Sequence, residues 1–118
     1  MAEFEKIIEE SLQRIPAEFK RIIEKENIKL IAREKAPAPL QNSHKGGVVF
    51  GVFIGVPYNQ RSVFNIEKEP TRIELYKQSF EEIYPDGRDM EAQIAKTVVH
   101  EIGHYFGFSE KALRTYKF

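Results

Sequence analysis

Four side chains suited to acid–base or metal chemistry lie within the segment Val98-Val99-His100-Glu101-Ile102-Gly103-His104-Tyr105-Phe106-Gly107-Phe108-Ser109-Glu110. On a helix, His100 and His104 stand one turn apart on the same face, so both imidazoles can reach a single tetrahedral ion. Glu101 is rotated by about 100° from His100 and leaves that line. It can instead approach a water held by such an ion, where a general base belongs. The competing reading is a hydrogen-bonded His-Glu-His cluster on a half-exposed helix face. The surroundings favour the ion, because charged groups rarely sit on a strongly apolar, periodic helix unless paired or ligating.

Two imidazoles leave a metal site in need of a third protein ligand. Fourteen residues follow His104, which leaves little room for a further helix with its connecting turn. Gly107 offers another route, ending the helix and returning the chain so that Glu110 faces the histidines. The pattern is then His100-Glu101-x-x-His104-x-x-Gly107-x-x-Glu110. Glu110 also reads as a first-turn acid behind a Ser109 cap, favourable to the dipole of a last short helix. Both roles stand at this point. His44, the one other histidine, lies beside Gly46-Gly47 and reads as a solvated loop residue. Tyr58, Tyr76, Tyr84 and Tyr105 could each donate to an oxyanion, and spacing does not choose among them.

The elements that must position these groups follow from periodicity. Ile94, Val98, Ile102 and Phe106 recur every four residues, with Ala95, Val99 and Tyr105 widening the stripe, so a long buried helix starts near an Asp89 N-cap. Phe4, Ile7, Ile8, Leu12 and Ile15 give a first amphipathic helix. Pro16 suits the first position of a second helix, which Asn27 ends. Strands are expected around Ile28–Arg33, Val48–Ile54 and Ile73–Leu75, the second of them central because it is richest in β-branched and aromatic residues. Loops are expected from Lys35 to Gly47 and from Pro57 to Pro70. A short helix covers Gln78 to Tyr84, followed by a Pro85-Asp86-Gly87 turn. Helices at both ends around strands give an α+β class.

Composition narrows the function classes. At 118 residues the chain suits one domain spanning 1–118, with 42% hydrophobic and 31% charged residues. Eighteen basic and eighteen acidic side chains cancel, so no global field draws nucleic acid or an acidic membrane surface. There is no cysteine, which excludes disulfides, thiolate metal sites and a cysteine nucleophile. No serine sits in a Gly-x-Ser-x-Gly elbow. The acidic start, Met1-Ala2-Glu3-Phe4-Glu5, lacks the features of a signal peptide, and a cytoplasmic location is the expectation.

The sequence resembles the minimal zincin-like metallopeptidases, small bacterial proteins with a His-Glu-x-x-His-x-x-Gly-x-x-acid motif. The resemblance extends to Ile15-Pro16-Ala17-Glu18-Phe19, Gly51-Val52-Phe53-Ile54-Gly55-Val56-Pro57, Arg61 and Ile73-Glu74-Leu75-Tyr76. It implies a compact α+β zincin-like domain with N-terminal helices, a small mixed or antiparallel sheet and a C-terminal motif helix. It further implies Zn2+ held by His100, His104 and Glu110, with Glu101 as the general base of peptide-bond hydrolysis. Family members commonly carry aspartate at the last position and often histidine where Tyr105 stands. The expected partner is a peptide or protein substrate, which could pair with the edge of the sheet at Thr71–Lys77. The alternative is a metal-stabilised interaction module that has kept the site without efficient turnover.

Overall fold

The structure, a computed structural model, describes residues 1–43, 47–55, 71–116 and 118. Two helices open the chain, α1 (Ala2–Leu12) and α2 (Ala17–Lys25), and bury Phe4 and Ile8 from the first and Phe19 from the second. Pro16, with φ −59° and ψ 148°, is the N-cap of α2 rather than its first helical residue. Asn27 takes φ 52°, a left-handed conformation that Asn tolerates, and so redirects the chain into β1 (Lys29–Arg33). The segment expected to be a loop from Lys35 contains α3 (Ala38–Ser43). There the Pro37 carbonyl accepts from the amides of Leu40 and Gln41, and Pro39 occupies a first turn that needs no N–H from it.

β2 (Gly51–Ile54) and β3 (Arg72–Tyr76) complete a mixed sheet of order β1-β3-β2, with β1 parallel and β2 antiparallel to β3. This reverses the expected arrangement: β3 is the central strand and β2 lies at an edge. The polar residues of β3 imitate a solvent face. Glu74 is nonetheless buried, with Arg72 Nε at 3.0 Å and Arg33 Nη2 at 3.3 Å from one carboxylate oxygen. Burial alone would raise the Glu74 carboxyl. The hydrogen bonds from Arg72 and Arg33 outweigh that and hold it below its usual value. The Tyr76 hydroxyl donates to the same carboxylate at 3.4 Å, and burial with the Glu74 charge pushes that phenol up to about 12. A charge that is paired and hydrogen-bonded can thus line an interior strand.

α4 (Lys77–Ile83), α5 (Gly87–Tyr105) and α6 (Glu110–Thr115) follow. The core lies where α1 and β3 meet α5, with Ile73, Leu75, Phe80, Ile94, Val98, Val99, Ile102 and Leu113 all at 0% exposure. Among the described residues, no helix is long and apolar enough to cross a membrane. The loop expected from Pro57 to Pro70, with Tyr58 and Arg61, lies outside the described residues, and so does His44.

α5 begins at Gly87, three residues before Met90, because the N-cap is Asp86, not Asp89. The Asp86 carboxylate accepts from the amides of Arg88 at 2.9 Å and Asp89 at 3.4 Å. Asp89 occupies the first turn, where it complements the helix dipole. Asp86→Ala should therefore destabilise the protein by about 1 kcal/mol, while Asp86→Asn stays close to wild type. Urea unfolding of the two variants checks this.

Candidate metal centre

α5 turns Ile94, Ala95, Val98, Val99 and Ile102 into the core, and this fixes where its polar residues go. His100 and His104 fall on the opposite side, with ring centroids 5.9 Å apart and planes at 84°. The helix ends as the glycine suggested. Gly107 adopts φ 82°, the Phe108 amide donates to the Gly103 carbonyl at 2.7 Å, and the Gly107 amide donates to the His104 carbonyl at 3.3 Å. These are the two reversed hydrogen bonds of a Schellman ending, which a glycine permits without steric cost. Ser109 then caps α6, its hydroxyl accepting from the Ala112 amide at 3.0 Å, and Glu110 is the first residue of that helix.

The reversal brings Glu110 back to the histidines. One carboxylate oxygen lies 2.6 Å from His104 Nε2 and 3.8 Å from His100 Nδ1. His100, His104 and Glu110 each offer a ligand atom, and those atoms all lie within 4.8 Å of one another. Two neutral imidazoles and a carboxylate form a donor set suited to zinc. The other ring nitrogen of His100, Nε2, is buried and finds no hydrogen-bond partner among the described residues, so this imidazole also has a nitrogen open to a ligand. Such a nitrogen ordinarily has a donor, an acceptor or a metal beside it. The His104 and Glu110 side chains are 56% and 57% exposed, against 21% for His100, so the group opens to solvent on one side. The hydrogen bond with His104 holds the Glu110 carboxyl below its usual value.

Glu101 does not join the three. It is half-buried and shares a cleft of about 390 Å³ with His100, His104, Phe50, Tyr84 and Lys96. Burial pushes its carboxyl up, against the opposing charges of His104 and His100. A carboxylate made more basic by desolvation is better suited to take up a proton. The tyrosines also separate: Tyr84 lines the cleft, Tyr105 stacks on Phe53 with centroids 4.0 Å apart, and Tyr76 is committed to Glu74.

Three structural supports escaped the sequence reading. Gly103 stands between the histidines, and a Cβ there would come within 2.7 Å of Leu113 Cδ2 and 3.1 Å of Leu113 Cδ1. Its absence lets α6 press against α5. The signal was available, since a glycine inside a helix costs about 1 kcal/mol relative to alanine and calls for a packing reason. Gly51 plays a similar part for β2, because a Cβ there would lie 2.8 Å from the Glu74 carbonyl oxygen and 3.4 Å from Thr97 Cγ2. Finally, α6 is moored to α2: the Phe108 and Tyr116 rings both lie 5.3 Å from Phe19, and the Tyr116 hydroxyl donates to Glu18. These partners are far apart in sequence, so no local pattern announces them.

Gly103→Ala should overpack this contact and destabilise the protein by about 1–3 kcal/mol. Adding Leu113→Ala should relieve the crowding, so the pair should be non-additive by about 0.5–3 kcal/mol. Denaturant unfolding of both single variants and the double variant measures the coupling. Strict additivity would mean that the two helices do not constrain one another here.

Residues 26–117 match the family described as zincin-like metallopeptidase. The match runs from the C-terminal end of α2 through α6 and takes in the whole His100–Glu110 segment, while the Ile15–Phe19 junction lies outside it. No curated protein gives a match. A match over this much of the chain, on an α+β fold with a mixed sheet, establishes the kinship: the chain belongs to the zincin-like metallopeptidase family.

Proposed function

We propose that this protein is a zinc-dependent peptidase in which His100, His104 and Glu110 hold the ion and Glu101 moves the proton. The observation that carries the reading is the convergence of three ligand atoms within 4.8 Å, beside a cleft that also contains Glu101. The family kinship points the same way. Bound zinc supplies a Lewis acid and lowers the pKa of a coordinated water to about 7.

The chain's own residues account for the remaining steps. A Glu101 carboxylate oxygen accepts a proton from the attacking water, and its desolvated setting raises its affinity for that proton. The same carboxyl then donates the proton to the departing amine, so one peptide bond and one water become a carboxylic acid and an amine. With the two positive charges of bound zinc, one negative charge from Glu110 and two neutral imidazoles would leave the centre net positive and attractive to a polarised carbonyl. An extended substrate would pair with β2 rather than with Thr71–Lys77. β3 has neighbours on both sides, whereas β2 pairs only with β3 among the described residues and packs against α5.

His100→Ala and His104→Ala should each lose most bound zinc by elemental analysis after loading and dialysis. Glu101→Gln should keep the metal and lose about 10²- to 10⁴-fold in peptide hydrolysis. Chelators should abolish activity and serine-directed reagents should not. Zinc retained by a wild-type protein with no hydrolysis of any peptide would leave the interaction-module reading in its place.

A further inference from the structure

The cleft beside the His–His–Glu group carries a charge that the proposed proton chemistry does not use. Gln93, Lys96 and His100 follow one another at spacings of three and four along α5, so they share one helix face. All three line the cleft, together with Phe50 and Tyr84, whose rings lie 5.8 Å apart. Lys96 is exposed and takes part in none of the ion pairs among the described residues. The acid lining this cleft is Glu101, which the proposed mechanism engages at the histidines. From the facing elements, Phe50, Gly51 and Tyr84 contribute no opposing charge.

We infer that this cleft is a substrate subsite for a peptide residue bearing a carboxylate, with Lys96 as the specificity-determining cation. The inference rests on the peptidase reading for the word substrate, and its test is separable from that reading. A carboxylate entering the cleft meets the Lys96 ammonium at one end and the Gln93 amide beside it, one helical turn further from the histidines. The aromatic pair forms an apolar wall that suits the aliphatic stem of a glutamate. A basic side chain would instead meet like charge from Lys96 and from a net-positive metal centre. Screening by salt limits the effect, because Lys96 is solvent-facing.

The test uses zinc-loaded Glu101→Gln protein, which binds without turnover, and fluorescent peptides followed by anisotropy. Three peptides with blocked ends differ at one position, carrying Glu, Gln or Lys. A fourth has neutral side chains and a free C-terminal carboxylate, paired with its amide. The Glu peptide should bind about three- to tenfold more tightly than the Lys peptide at low salt, and less so as salt rises. Adding Lys96→Glu should reverse the order, and Lys96→Gln should level it. Preference for the free terminus over its amide, lost in Lys96→Gln, would identify the terminal carboxylate as the group held. An order indifferent to residue 96, or no binding by any peptide, overturns the inference. Lys96-dependent discrimination with no hydrolysis by wild type would sustain the subsite and remove the peptidase. Hydrolysis blind to peptide charge would do the opposite.

Discussion

A glutamate six residues beyond a helical histidine reaches that histidine only if the helix stops and the chain doubles back at once. Everything at the candidate centre depends on this reversal. Gly107, at φ 82°, makes it without steric cost, and the Schellman bonds to the Gly103 and His104 carbonyls satisfy acceptors that the helix end would leave open. The returning helix must then lie close, and it does so because Gly103 presents no Cβ to Leu113. Two glycines four residues apart therefore set the distance between Glu110 and the histidines. The first permits contact and the second permits the turn.

That constraint ties the C-terminal segment to the rest of the molecule. α5 is held by the core through Ile94, Val98 and Ile102, and α6 by Leu113 and the Phe19 cluster. The N-terminal helices thus bear on the site without contributing a group to it. On the other flank, Gly51 allows β2 to approach both β3 and Thr97, which brings a sheet edge alongside the His100 face of α5. Glu101 is half-buried and desolvated beside the histidines, and the exposure of His104 and Glu110 leaves the group open to solvent. A basic carboxylate in a wall and an accessible ligand group are the two conditions that water-mediated hydrolysis requires.

Much of this was legible in the residues themselves, for identifiable reasons. The stripe on α5, the paired histidines, the Gly107 ending and the Ser109 cap are local patterns, each decided within a turn or two of helix. The sheet order was not legible, because it turns on a long-range pairing. Arg33 and Arg72 neutralise Glu74, so a strand with alternating charges is central, while the more apolar Gly51–Ile54 lies at the edge. Asp86 and Asp89 both satisfy the composition of an N-cap, and only the backbone geometry chooses Asp86. α3 was hidden by prolines that happen to fall where a helix tolerates them. The two readings of Glu110, ligand and first-turn acid, prove compatible in position: it begins α6 and also faces both histidines.

The central claim is that Glu110 completes the metal group, and zinc affinity tests it most directly. A competition titration against a chromophoric chelator should be run on wild type, Glu110→Gln and Glu110→Asp, with circular dichroism confirming that each is folded. Loss of the carboxylate should weaken zinc binding by about tenfold or more, since even outer partners of a metal ligand are worth that much. The shorter aspartate should fall between wild type and Glu110→Gln. Equal affinity in wild type and Glu110→Gln would contradict the account, reducing Glu110 to a first-turn acid of α6 and placing the third ligand elsewhere in the chain.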